Sequence, residues 1–212
     1  MSYTIFNEKP EDYDKWYIKN RPILFSEVET IKKTMGDLGA AAVKVEIGVG
    51  TGMIAFHVGI NFGIDPAIKA LYLAKSKGID VIQALGENLP LRDNSVDLIL
   101  LTTTLCFLEK PGDVFKEIIR CLRENGHLLL CFIPKDSLWG KAYEEKARKG
   151  HKFYSHARFY SLEEVKELLS KYGFRIIEAY GTLSFDPSEK PKYEPPTSNI
   201  QGKGFVCFKA TI

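Results

Sequence analysis

Short, wholly apolar runs alternate along this chain with longer segments whose apolar positions recur every three or four residues. Ala42-Val43-Lys44-Val45-Glu46-Ile47 reads as a buried strand, and further strands are predicted at 62–64, 79–84, 96–101 and 127–133. Between them lie a short helix at 53–57, a helix with an apolar face of Ile68, Leu71 and Tyr72, and one carrying Val114, Phe115, Ile118, Ile119 and Leu122. Start and stop signals frame these helices. Asp65-Pro66 offers an N-cap and a first-turn proline, Pro111-Gly112-Asp113 opens the next helix and Asn125-Gly126 stops it. Two capping boxes stand outside this region. Ser26 with Glu29 predicts a helix from there to about Met35, and Ser161 with Glu164 predicts one ended by Gly173. A helix over 137–149 and strands at 174–179 and 205–210 complete the pattern.

Strand and helix in repeated alternation, with strands apolar on both faces, imply an α/β fold around a parallel sheet covered on both sides. The last two strands are joined by a proline-containing loop with no helix, so they should be antiparallel neighbours. The expected sheet is doubly wound, seven-stranded and mostly parallel, with its last strand reversed. At 212 residues the chain fits a single domain. In it, 1–41 form an N-terminal lid and helices, 42–135 a ligand-binding core, and 136–212 an insertion and the C-terminal strands.

Composition narrows the function classes. A net charge of +2 is too mild to point to nucleic acid or an anionic membrane. No run approaches the length of a membrane span, and residues 1–10 lack the basic and apolar regions of a signal peptide. Cys106, Cys121, Cys131 and Cys207 form no C-x-x-C pair and do not cluster with the histidines. They are expected to be reduced core cysteines of a cytoplasmic protein that holds no metal.

The chemistry centres on Gly48-Val49-Gly50-Thr51-Gly52, between a buried strand and a helix. Such a turn faces a ligand at the carboxyl ends of the strands. A dinucleotide fingerprint requires glycine three residues after Gly50, where Met53 stands, and a phosphate-gripping loop requires a lysine that is missing. Glu46, two residues before the turn, would repel a pyrophosphate and attract an ammonium or sulfonium. Asp65, at the end of the second strand, is placed to accept both hydrogen bonds of a ribose diol.

These residues resemble the class I S-adenosylmethionine-dependent methyltransferases, of the broad type (type 11) that includes the ubiquinone and menaquinone biosynthesis enzymes. Glu46-x-Gly48-x-Gly50-x-Gly52 resembles the first motif, and Gly63-Ile64-Asp65-Pro66 the ribose-binding motif. Gly86-Glu87-Asn88-Leu89-Pro90-Leu91 resembles the approach to the fourth strand, and Tyr13-Asp14-Lys15-Trp16 the lid. The resemblance implies a Rossmann-like fold and S-adenosyl-L-methionine as cofactor. It implies cofactor contacts from Glu46, Gly48, Gly50, Gly52, Asp65, Pro66, Gly86 and Glu87, with Thr102, Tyr13 and Trp16 beside them. Two positions depart from the family pattern. Leu85 stands where an aspartate near the adenine is frequent, and Leu105-Cys106-Phe107-Leu108 replaces a stretch that often holds histidine. The expected acceptor is a small molecule. A nucleic acid, or a module that binds the cofactor without catalysis, is the alternative. His156, Tyr160 and Cys106 are the candidate catalytic groups, none singled out by its spacing. O-, N- and C-methylation and the oligomeric state stay open.

Overall fold

A computed structural model describes residues 2–212, with side chains from Thr4 onward. Seven strands form one sheet: β1 (Lys44–Ile47), β2 (Phe62–Asp65), β3 (Asp80–Gln83), β4 (Val96–Thr102), β5 (Leu122–Phe132), β6 (Arg175–Thr182) and β7 (Phe205–Thr211). Their order is β3-β2-β1-β4-β5-β7-β6. The first five strands pair in parallel, and β7 runs antiparallel between β5 and β6. This is the predicted seven-stranded Rossmann-like sheet with its reversed last strand.

Strand periodicity divides the core into two layers. Leu98, Leu100, Leu129 and Cys131 face one side, and Ile99, Leu101, Leu128 and Leu130 the other, all fully buried. The first layer is covered by α2 (Arg21–Met35), α3 (Met53–Val58) and α4 (Ile68–Ser76), with Trp139 and Tyr143 from α6 (Leu138–Arg148). The second is covered by α5 (Pro111–Cys121) and α7 (Leu162–Lys171). Each buried aliphatic side chain contributes roughly 1.5–3 kcal/mol, so a central strand apolar on both faces is strongly fixed.

Several predicted boundaries need correction. Ser26 does not cap a helix. α2 begins five residues earlier, with Pro22 in its first turn, and Ser26 Oγ donates back to the Pro22 carbonyl at 2.9 Å. Asp65 does not cap α4 either, because that helix starts at Ile68. Asn125-Gly126 lies within β5 and stops nothing. α5 ends at Cys121, and extended Leu122 already pairs with Val96. The Ser161 capping box is present, with Glu164 N to Ser161 Oγ at 3.1 Å and Ser161 N to Glu164 Oε2 at 2.7 Å.

The four cysteines are not all reduced. Cys131 and Cys207 are directly opposed across the β5–β7 ladder and joined in a disulfide, while Cys106 and Cys121 are free. The expectation failed because the partners are 76 residues apart in sequence and meet only when β7 inserts beside β5. Among the described residues there is no cluster suited to a metal ion, and no helix is long and apolar enough to cross a membrane.

Candidate functional site

The carboxyl ends of β1, β2 and β4 open into one cavity of about 590 Å³. Its floor is the glycine turn. Gly48 and Val49 donate to the carbonyl of Ile64 at 2.7 and 3.2 Å, which ties the turn to β2. Gly48 has φ +75°, and a Cβ there would fall 2.3 Å from Thr104 Oγ1. Gly50 has φ +52° and nothing within 4 Å of where a Cβ would stand. The backbone is therefore bare toward the cavity at Gly50, where a ligand can come close.

Two oxygens at this floor lack well-formed hydrogen bonds among the described residues. Glu46 is 2 % exposed, and neither its Oε2 nor Thr102 Oγ1, on the adjacent strand, has a hydrogen bond of good geometry, although the Thr102 hydroxyl lies near enough to favour the carboxylate. Burial, with the Asp65 charge nearby, raises the Glu46 carboxyl well above the ordinary range. Asp65 accepts from Gly50 N at 2.9 Å through Oδ2 and from Ala67 N at 2.7 Å through Oδ1. Its pKa is raised because burial outweighs those two donors. A carboxylate offers about four lone-pair sites, so acceptor capacity remains. Pro66, Leu85, Gly86 and Glu87 bound the cavity beside Asp65.

The opposite wall comes from distant segments. α1 (Glu11–Lys19) brings Tyr13, Trp16 and Tyr17, α2 brings Glu27, and α6 with the turn after it brings Tyr143 and Tyr154. Tyr17 OH donates to Glu27 Oε2 at 2.6 Å, and the Tyr143 and Tyr154 rings stack at 4.4 Å. Asp14 fastens α1 to the floor by accepting from Lys77 Nζ at 2.6 Å and from the Thr51 hydroxyl. Thr103, at the end of β4, holds φ +50°, an uncommon conformation for a residue other than glycine.

A family model described as "Methyltransferase domain" matches residues 45–130. The chain is 37 % identical over 206 residues to an uncharacterized protein of Methanocaldococcus jannaschii, covering 97 % of this chain and 98 % of that one. It is also similar to the crystal structure of a SAM-dependent methyltransferase of Thermotoga maritima, described as a possible histamine N-methyltransferase. That match has TM-score 0.92 and 34 % identity, covering 100 % of this chain and 99 % of the other. The chain belongs to the class I S-adenosylmethionine-dependent methyltransferases. A more distant relative is a malonyl-[acyl-carrier protein] O-methyltransferase of Geobacter sulfurreducens, 24 % identical over 198 residues and covering 82 % of this chain and 70 % of that one.

In this methyltransferase the cavity gathers Glu46, Gly48, Gly50, Asp65, Pro66, Gly86, Glu87, Thr102, Tyr13, Trp16, Cys106 and Tyr160. It leaves out Gly52 and His156. At Gly52 a Cβ would strike Ile79 Cδ1 at 2.4 Å, so this glycine serves helix packing. His156 lies instead with Arg158 in an adjoining cleft that shares Cys106 and Glu109 with the cavity. The other two candidate bases are poorly suited to the task. Cys106 donates to the Thr103 carbonyl at 3.2 Å and burial pushes its thiol up to about 12, while burial also raises Tyr160. The sequence reading missed Glu27. A signal for it existed: Ile23, Glu27 and Ile31 are spaced by four and all buried, which puts an acid on the core face of α2.

Proposed function

We propose that this methyltransferase transfers the methyl group of S-adenosylmethionine to a small molecule that enters the same cavity. When bound, the cofactor supplies an electrophilic methyl on a cationic sulfur. The residues present suit it. Glu46 Oε2 and Thr102 Oγ1 are buried oxygens without a hydrogen bond of good geometry, and the space beyond Gly50 is open. Asp65 keeps acceptor capacity for a ribose diol, and Leu85, Gly86 and Glu87 border the adenine end, where backbone groups would read the base. Residues 42–135 thus hold the cofactor, while 1–41 and 136–212 wall the acceptor side.

The observation that carries the small-molecule reading is the enclosure of the acceptor side by α1 and the segment after α6. Lys152 reaches Asp12 at 3.4 Å and Phe153 stacks on Phe6 at 5.3 Å, which bridges the two walls. A polymer needs an open groove with a run of basic side chains, whereas the wall here is mainly aromatic, with Asp12 and Glu27 set among Lys9, Lys146 and Lys152. The protein's work is then to bind, orient and exclude water.

Calorimetry tests the cofactor half. S-adenosylhomocysteine should bind, and Asp65→Ala should weaken it by about 1–3 kcal/mol, the range for lost hydrogen bonds to a charged acceptor. NADH binding with no S-adenosylhomocysteine signal would defeat the reading. An unchanged affinity in Asp65→Ala with a lowered melting temperature would reduce Asp65 to holding Gly50 and Ala67. Transfer of labelled methyl to an RNA pool, with none to a small-metabolite pool, would overturn the acceptor class.

A further inference from the structure

We propose that the methyl acceptor is a protonatable amine, and that Glu27 is the carboxylate that holds it and receives its proton. This rests on the methyl-transfer reading above and specifies the acceptor half of the same cavity.

Glu27 is 3 % exposed and lines the cavity. Its Oε2 accepts from Tyr17, and no hydrogen bond among the described residues reaches Oε1. Among the described residues no salt bridge includes it. The groups that feel its charge are Tyr13 and Tyr17 on α1, Tyr143 on α6, and Tyr154 in the turn after α6. None of them is cationic. Of the cations lining the cavity, Lys152 is taken by Asp12, Lys9 also acts on Asp12, Lys146 stands 5.1 Å over the Tyr143 ring, and His151, held below its ordinary range by burial, stacks on Tyr154 at 4.6 Å; none of them pairs with Glu27. Burial pushes the Glu27 carboxyl up to about 7, opposed only by the Tyr17 hydroxyl. A buried acid without a counter-charge is costly, and a cationic occupant removes that cost.

The cofactor would not serve that need, because its cationic groups would lie at the floor on the Glu46 side of the cavity, with its ribose at Asp65. Tyr13 feels both Glu46 and Glu27, so it stands between the two halves. The aromatic wall adds a second preference, since ring faces attract ammonium groups. A carboxylate acceptor would meet repulsion at Glu27, and a neutral alcohol would leave its charge unpaired. The bound ammonium gives one proton to Glu27, which becomes a neutral carboxyl. The electron pair left on nitrogen forms the new nitrogen–carbon bond, and the pair of the broken carbon–sulfur bond goes to sulfur. Glu27 returns its proton to water after product leaves. A base that titrates near neutrality suits such a transfer.

The test uses full-length protein saturated with S-adenosylhomocysteine and three probes of like shape: 2-phenylethylamine, 2-phenylethanol and 3-phenylpropanoate. Calorimetry should show the amine binding at least about tenfold tighter than the other two. Amine affinity should rise as pH passes upward through about 7 and Glu27 ionises. Glu27→Gln should lose about tenfold for the amine, little for the alcohol, and the pH dependence. Tyr17→Phe, which removes the hydrogen bond that favours the carboxylate, should move the midpoint to higher pH; it also serves if Glu27→Gln does not fold. Amine affinity no better than that of the alcohol or the carboxylate, binding of none of the three, or an unmoved midpoint in Tyr17→Phe would each overturn the proposal. Failure of S-adenosylhomocysteine itself to bind would instead defeat the methyl-transfer reading.

Discussion

Glu27 pairs chemical use with a stability cost, and the sign of that cost is testable. Its folded pKa is about 7 against an ordinary value of 4.5. Between those values the folded protein keeps a proton that the unfolded chain has released, so ligand-free stability falls as pH rises through the window. The full loss, reached above pH 7, is about 3 kcal/mol. Glutamine keeps an oxygen for the Tyr17 hydroxyl and carries no charge. Glu27→Gln should therefore be more stable than wild type at pH 8, and the gain should vanish near pH 4. Urea unfolding at both pH values measures this, and equal stabilities at pH 8 would mean that water already solvates the carboxylate. The sequence shows Glu46 and Asp65 because each stands at a fixed offset from a glycine turn or a strand end. It hides Glu27, because Ser26-x-x-Glu29 resembles a helix start and so reads the neighbouring acid as first-turn surface. Only the upstream continuation of α2 through Ile23 and Leu24 turns Glu27 inward.

Among the elements, the strands are legible because parallel strands buried on both faces leave unbroken apolar runs. Helix starts are less so. Asp65-Pro66 has the composition of a cap, yet the Asp65 carboxylate accepts from Gly50 and Ala67, and α4 begins beyond it. The glycine turn shows how one motif divides its labour. Gly52 has φ +74°, and a Cβ there would meet Ile79 at 2.4 Å and Ala74 Cα at 3.0 Å. Gly52→Ala should cost about 1–3 kcal/mol of stability by overpacking and about 1–2 kcal/mol more from its left-handed backbone, with cofactor affinity of the folded fraction little changed. Gly50 has an open space instead. Gly50→Ala should cost about 1–2 kcal/mol from its left-handed backbone, and its methyl should weaken cofactor binding as well. Thermal melts paired with S-adenosylhomocysteine titrations separate the two. A Gly50→Ala variant with undiminished affinity would show that the cofactor keeps away from this part of the turn.

At the scale of the whole molecule, sheet order follows from local signals, while the contacts that close the cavity join segments far apart in sequence. Tyr17 finds Glu27, Asp14 finds Lys77 and Lys152 finds Asp12 only after the sheet has wound. The Cys131–Cys207 bond is hidden for the same reason. The sequence suggests that residues 1–20 move as a unit, free without ligand and ordered with it. The contacts favour a divided segment. The inner end of α1 is fastened by Asp14 to Lys77 and Thr51, with Tyr17 buried on Glu27. Toward the outside, the walls meet through the Phe6–Phe153 stack and the half-exposed Lys152–Asp12 pair. An exposed pair contributes about 1 kcal/mol or less, so this outer seam is the weak place in the enclosure. A ligand the size of the cofactor would reach the floor at least cost by parting this seam. Hydrogen exchange should therefore find the amides from Tyr17 to Asn20 slow in both states. Those at 4–9 and 151–156 should be fast in the free protein and slow with S-adenosylhomocysteine bound. Phe153→Ala should raise free-state exchange at 4–9 and leave Tyr17 to Asn20 alone. Slow exchange at the seam in both states would make it a fixed wall, and entry would then have to open the fastened end of α1.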